Sequence, residues 1–149
     1  MHAVSSNAVD GGVLVEVLVR VLVVDDFQPF RQVVTSILQA QADLQVISEA
    51  SNASQAVQMA DELQPDVILL DIGLPDFNGI DAARQIRELS PLSKILFVTQ
   101  GSSVDVMQEG LGLGAHGFLV KSDAGRELVA AVRTVLRGET FVSRRLAGK

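Results

Sequence analysis

Five side chains that could do chemistry each stand just after a short apolar run. Asp25 and Asp26 follow Val21 to Val24, Asp71 follows Val67 to Leu70, Thr99 follows Ile95 to Val98, and Lys121 follows Phe118 to Val120. If the runs are neighbouring parallel strands, their ends meet on one rim and bring three carboxylates, a hydroxyl and an ammonium together. Carboxylates held close repel, so they raise one pKa or recruit a cation. A hard divalent ion suits oxygen ligands, and Mg²⁺ typically takes one or two carboxylates with waters and phosphate oxygens. With Lys121 as a second positive charge and Thr99 as a donor, the set suits a phosphoryl group. The free carboxylate, Asp71, would attack phosphorus and form an acyl phosphate. Singly, each residue has a plainer reading: a turn and helix cap at Asp25-Asp26, a turn former at Asp71, a strand residue at Thr99, a solvated lysine at Lys121. Only their convergence carries the chemistry.

The elements that must position them alternate along the chain. Arg20 to Val24 reads as the first core strand. Pro29 suits the first turn of a helix whose apolar face is Phe30, Val33, Val34, Ile37 and Leu38. Val46 to Ala50 is a second strand, and Asn52 can cap a helix carrying Ala53, Ala56, Val57, Ala60 and Leu63. The run from Val67 into Asp71 has the continuous apolarity of a strand buried on both faces. Asn78-Gly79 leads into a helix stopped near Pro91, and Lys94 to Thr99 is the fourth strand. Ser102 and Asp105 have capping-box spacing before a fourth helix weakened by Gly110, Gly112 and Gly114. Gly117 to Val120 is the fifth strand and Ala124 to Arg137 the last helix. This order predicts an α/β fold: a doubly wound, five-stranded parallel sheet of order 2-1-3-4-5, as in flavodoxin-like proteins. Such sheets hold ligands beyond the carboxyl ends of their strands.

Composition bounds the rest. The chain has 149 residues, 48% of them hydrophobic, with a net charge of −6 and no cysteine. That acidity argues against a nucleic-acid surface, and the missing thiols exclude disulfides and thiolate metal sites. No apolar run reaches transmembrane length and no signal peptide is evident, so the expected compartment is the cytoplasm. Residues 1–18 read as a flexible leader, with Val13 onward a candidate strand extension, 19–142 as the domain, and 143–149 as a tail. In that tail Arg144, Arg145 and Lys149 should be solvated. His116 reads as an exposed loop residue. Gly112, Gly114 and Gly117 match a dinucleotide-binding spacing but precede a strand, which is the wrong context.

Together Arg20-Val-Leu-Val-Val-Asp-Asp26, Pro65-Asp-Val-Ile-Leu-Leu-Asp71, Leu74-Pro75 with Gly79, Val98-Thr99 and Gly114-Ala-His-Gly-Phe-Leu-Val-Lys121 resemble the receiver domains of two-component response regulators, closest to the NarL/FixJ-type subgroup. The resemblance covers about residues 19–142. It implies a signalling protein, not an enzyme, phosphorylated on Asp71 by a sensor histidine kinase or a phosphotransfer protein. It implies Mg²⁺ bound directly by Asp26, Asp71 and the Gly73 carbonyl, with Asp25 acting through a water. Thr99 would move onto the phosphoryl group, Lys121 would pair with it, and Phe118 would be a rotating aromatic. The output surface would be the fourth helix, fifth strand and fifth helix, with room for a homodimer and no direct nucleic-acid or membrane contact by this chain. Gln100 after Thr99 and Ser122 after Lys121 depart from the family preference, and the bond before Ser122 is expected to be trans. Two other functions compete: the receiver half of a LuxR/NarL-type transcription factor, and a haloacid-dehalogenase-type phosphatase. The phosphatase lacks support, because Asp25-Asp26 does not have its D-x-D spacing and there is no room for a cap.

Overall fold

A computed structural model describes residues 7–10, 13–101 and 104–147, and side chains within 17–101 and 106–146. Asn7–Asp10 (β1) and Val13–Glu16 (β2) pair antiparallel as a separate two-stranded ribbon. The apolar run after Gly12 therefore does not simply extend the first core strand, which starts at Val19. The remainder of the leader, 1–6 and 11–12, lies outside the described residues, as does Ser102 of the expected capping box.

The main sheet contains Val19–Val24 (β3), Leu44–Ala50 (β4), Val67–Asp71 (β5), Lys94–Thr99 (β6), Gly117–Val120 (β7) and Phe141–Val142 (β8), all parallel, in the order β4-β3-β5-β6-β7-β8. This is the expected 2-1-3-4-5 order with a sixth strand added at the far edge. The helices are Gln28–Gln39 (α1), Ala53–Leu63 (α2), Gly79–Leu89 (α3), Val104–Gly112 (α4), Ala124–Leu136 (α5) and the short Arg144–Ala147 (α6). Among the described residues no helix is long and apolar enough to cross a membrane.

Strand alternation divides the core in two. Leu22, Val24, Ile68, Leu70, Ile95, Phe97 and Phe118 face the side covered by α2, α3 and α4, where Ala53, Ala56 and Ala60 let α2 approach closely. Val21, Val23, Leu69, Leu96, Val98 and Leu119 face α1 and α5. Strands clad on both faces must be apolar throughout, which is why β5 carries no polar residue before Asp71. The helix starts follow the chain's own signals. Asn52 and Asn78 accept hydrogen bonds from the N–H groups of Gln55 and Asp81 at 2.8 and 2.9 Å. Asp76 adds a second cap to α2 from another loop, accepting from Ala53 and Ser54 at 2.8 and 2.9 Å. Desolvation raises the Asp76 pKa, but the N–H groups of Ser54, Ala53 and Phe77 outweigh it and hold the carboxyl well below the usual range.

Two local readings change. His116 is half-buried, its Nδ1 facing the Ile95 N–H at 3.4 Å; burial, then Lys94 and Arg87, push its pKa down. The C-terminal segment is also integral to the fold. Gly117 lets β8 come close, because a Cβ there would lie 2.8 Å from the Phe141 carbonyl oxygen. Ser143 is buried; its hydroxyl accepts from Val120 N–H at 2.9 Å and donates to Glu127 at 2.7 Å. Leu146 is buried as well. Arg145 is exposed, as expected, yet it is also tied down: it forks onto Asp123 through Nε and a terminal nitrogen, both at 3.0 Å, while Arg126 bonds the same carboxylate at 2.6 Å.

Hydrogen bonding from Arg145 is the main reason the Asp123 pKa lies below its ordinary value; burial opposes the shift, and the charges of Arg145 and Arg126 add to it. A carboxyl depressed in the folded state stabilises above its unfolded value and loses that contribution as pH falls through the folded one. Arg145→Gln should therefore lower the melting temperature at pH 7, and the difference from wild type should shrink below about pH 4. Melting curves across pH 2.5–7 check this; a difference constant over that range would mean the fork contributes nothing through Asp123.

Candidate functional site

The register of the sheet sets the ends of its strands flush. Val24 pairs with Leu70, Asp71 with Val98, and Thr99 with Val120. The residues just beyond or at those ends, Asp25, Asp26, Asp71, Thr99 and Lys121, consequently share one rim. The cleft there, about 530 Å³, is lined by Asp26, Asp71, Gly73, Thr99, Gln100 and Lys121, among others. Gln100 is exposed at its edge.

Asp25 is the most constrained of the five. Its N–H donates to the Ala50 carbonyl at 3.0 Å, its carbonyl accepts from Arg31 at 2.7 Å, and its Oδ1 accepts from Phe27 N–H at 2.8 Å. Only 1% of Asp25 is exposed. Its Oδ2 has no hydrogen bond of good angular geometry; the Lys121 ammonium, 2.6 Å away, is its partner. Asp71, 4% exposed, accepts from Gly73 N–H at 3.1 Å through Oδ1 and faces the same ammonium at 3.5 Å through Oδ2. Lysine therefore stands closer to Asp25 than to Asp71, an arrangement that strand spacing alone could not order.

Burial is the largest influence on Asp71 and raises its pKa. The Asp25 charge adds to the rise, Lys121 and the Gly73 N–H oppose it, and Asp26 adds a little more. Asp25, Asp26 and Asp71 each offer one carboxylate oxygen within 4.8 Å of the others. Such a cluster of hard oxygens, with one member exposed to the cleft, fits a small divalent cation.

Gly79 lets the loop after Asp71 close. Its N–H donates to the Ile72 carbonyl at 2.8 Å, and a Cβ at this position would lie 2.4 Å from the Asp71 carbonyl oxygen. Thr99 Oγ1 accepts from Gly101 N–H at 3.2 Å, so the hydroxyl sits at the rim. Phe118 is already 1% exposed, its ring 5.1 Å from that of Phe97. Gly110 has a packing role beyond weakening α4: a Cβ there would lie 2.4 Å from the Phe118 ring. Among the described residues no peptide bond is cis, and Lys121–Asp123 forms a single 3₁₀ turn. Phe30, expected only as part of the apolar face of α1, also places its ring 4.9 Å from the Lys121 ammonium. The Ser143, Asp123 and Arg145 contacts have no local signal in the sequence beyond the charges of Arg145 and Asp123, which nothing nearby pairs with one another.

Fold and site together define a receiver, and residues 21–133 match the family model described as "Response regulator receiver domain". The chain belongs to that family. It is 38% identical over 133 residues to "Transcriptional regulatory protein LiaR" of Bacillus subtilis, covering 89% of this chain and 63% of the relative. It is 32% identical to "Response regulator protein VraR" of Staphylococcus aureus, covering 82% and 58%. The chain thus spans about six tenths of the length of these curated relatives. Among solved structures, a LuxR-family two-component response regulator from Aurantimonas sp. SI85-9A1 superposes with a TM-score of 0.84 at 29% identity, covering 88% of this chain and 94% of that one. The signal receiver domain of the putative regulator NarL from Mycobacterium tuberculosis gives 0.78 at 30%, covering 83% and 99%.

Because Asp71 is buried beside two other carboxylates, Asp71→Asn should stabilise the metal-free protein. A gain of roughly 4 °C is the scale that about 1 kcal/mol produces in a domain of this size. Calorimetry in chelator checks it, and a lower melting temperature for the variant would show that the Lys121 pairing outweighs the burial and repulsion.

Proposed function

We propose that this chain is the phosphoacceptor receiver of a two-component signalling system and that Asp71 takes the phosphoryl group. The observation that carries the reading is one ammonium, Lys121, set between a buried Asp25 and a buried Asp71 at 2.6 and 3.5 Å. Asp71 stands at the end of the central strand, facing the cleft, with Oδ1 oriented by Gly73 N–H. An Asp71 oxygen attacks the phosphorus of a phosphohistidine on a sensor kinase or phosphotransfer protein. The new O–P bond forms as the P–N bond breaks, and the imidazole leaves with its electron pair and takes up a proton. Asp26, Asp71 and the Gly73 carbonyl would hold Mg²⁺, with Asp25 reaching it through a water; bound there, the ion neutralises charge on the phosphoryl oxygens. Lys121 pairs with one of those oxygens, and Thr99 donates to another in a charge-assisted bond.

Output follows from packing around Thr99. A shift of Thr99 towards Asp71 disturbs its pairing with Val120 and the contact of Phe118 with Phe97 and Gly110. The face formed by α4, β7 and α5 changes as a result, as a bias between two states. A second reading, that this receiver works as one part of a transcription regulator, is favoured by its coverage of only 63% of a relative named as one. Both readings share the same site chemistry.

Intact mass after incubation with Mg²⁺ and a small acyl phosphate should show one added phosphoryl group on wild type and none on Asp71→Asn. Equal labelling of the variant would move the acceptor elsewhere. Hydrogen exchange with and without beryllofluoride should change mainly within 102–137. Change confined to 28–42 would refute this output face.

A further inference from the structure

The Lys121 side chain is 13% exposed and has three donors to satisfy. Two oxygens face it, Asp25 Oδ2 and Asp71 Oδ2. On another side lies the Phe30 ring, with its centroid 4.9 Å from the ammonium. A cation within about 6 Å of a ring centroid is attracted by the ring quadrupole, more strongly as water is removed. Phe30 is well placed to hold that position. It sits in the first turn of α1, its N–H donates to the Phe27 carbonyl at 3.0 Å, and its side chain packs against the core beneath α1 and α5. The next residue, Arg31, is tied to the Asp25 carbonyl at 2.7 Å and to Glu49 at 2.9 Å. The first turn of α1 is thereby anchored to the same aspartate that holds the lysine.

The geometry points to Phe30 as a positioning residue for Lys121. Its ring keeps the ammonium at the rim, within reach of both Asp25 and the group on Asp71, so the lysine passes from one to the other by a short swing instead of a loss to solvent. The inference rests on the reading that Lys121 pairs with a phosphoryl group on Asp71. An aliphatic residue of similar size would fill the same volume and leave one side of the ammonium without hydration or compensation. Phe30 should therefore matter through its π face, and only while Lys121 is a cation.

A double-mutant cycle tests this, with phosphorylation rate from a small acyl phosphate and beryllofluoride affinity as readouts. Phe30→Leu should weaken both about three- to tenfold, the span expected for a partly desolvated cation–π contact. Phe30→Tyr, which keeps the ring, should stay near wild type. In a Lys121→Met background the Phe30→Leu effect should vanish. An equal loss in that background, or the same loss with tyrosine as with leucine, would make Phe30 a packing residue only and overturn the proposal. Phe30→Met, of similar volume, takes the place of the leucine variant if that variant does not fold. Should Lys121→Met alone bind beryllofluoride as wild type does, the lysine reading itself fails, a result separate from any outcome at Phe30.

Discussion

One ammonium makes the acidic rim tenable. Two carboxylates, those of Asp25 and Asp71, are almost wholly buried, and a third, Asp26, lies close enough to share a cation with them. Burying an ionised carboxylate without a counter-charge is among the costliest things a fold can do. Lys121 meets both buried groups from the carboxyl end of β7. The position of β7 is therefore what brings the counter-charge to the rim. It is fixed on one side by pairing with β6 and on the other by β8, with Ser143 satisfying the Val120 N–H that would otherwise be orphaned beside the lysine. The C-terminal segment thus stabilises the residue next to the functional one.

The same economy appears where backbone and rings approach each other. Gly79 closes the loop after Asp71, Gly117 admits β8, and Gly110 admits the Phe118 ring, each at a distance that a Cβ would violate. The first orients the site, the second seals the sheet edge, and the third joins α4 to the aromatic pair beneath Thr99. A side chain at any of them would push against backbone or a packed ring, and cores that dense do not absorb such a change without cost.

Most of the rim was legible because parallel strands write their burial into continuous apolar runs and leave their polar residues at the ends. Asp25, Asp26, Asp71, Thr99 and Lys121 each stand at such a boundary, and the register brings them together as the alternation implied. Three things were not legible. The 2.6 Å preference of Lys121 for Asp25 over Asp71 depends on side-chain reach across two intervening strands. The ring of Phe30 belongs to a helix stripe that reads as core, and core it partly is; its contact with the ammonium needs coordinates. The fork of Arg145 on Asp123 joins residues 22 positions apart, and the strand that sets it up is only two residues long. Periodicity cannot register so short an element, and a charge-rich ending reads as solvated.

The asymmetry at Lys121 also shows how stability and signalling draw on one contact. Before phosphorylation the ammonium neutralises Asp25 first and Asp71 second. On the proposed reading, a phosphoryl group on Asp71 brings more negative charge and more acceptor oxygens than the carboxylate it replaces. The lysine is then drawn away from Asp25, whose Oδ2 is left buried and without a strong partner. That is a cost of the active state, and a cation shared by Asp25, Asp26 and Asp71 is the means at hand to offset it, since it supplies charge to the carboxylate the lysine leaves. Metal and lysine are therefore not redundant on this reading: the lysine neutralises the unmodified site, and the modified site would draw on both.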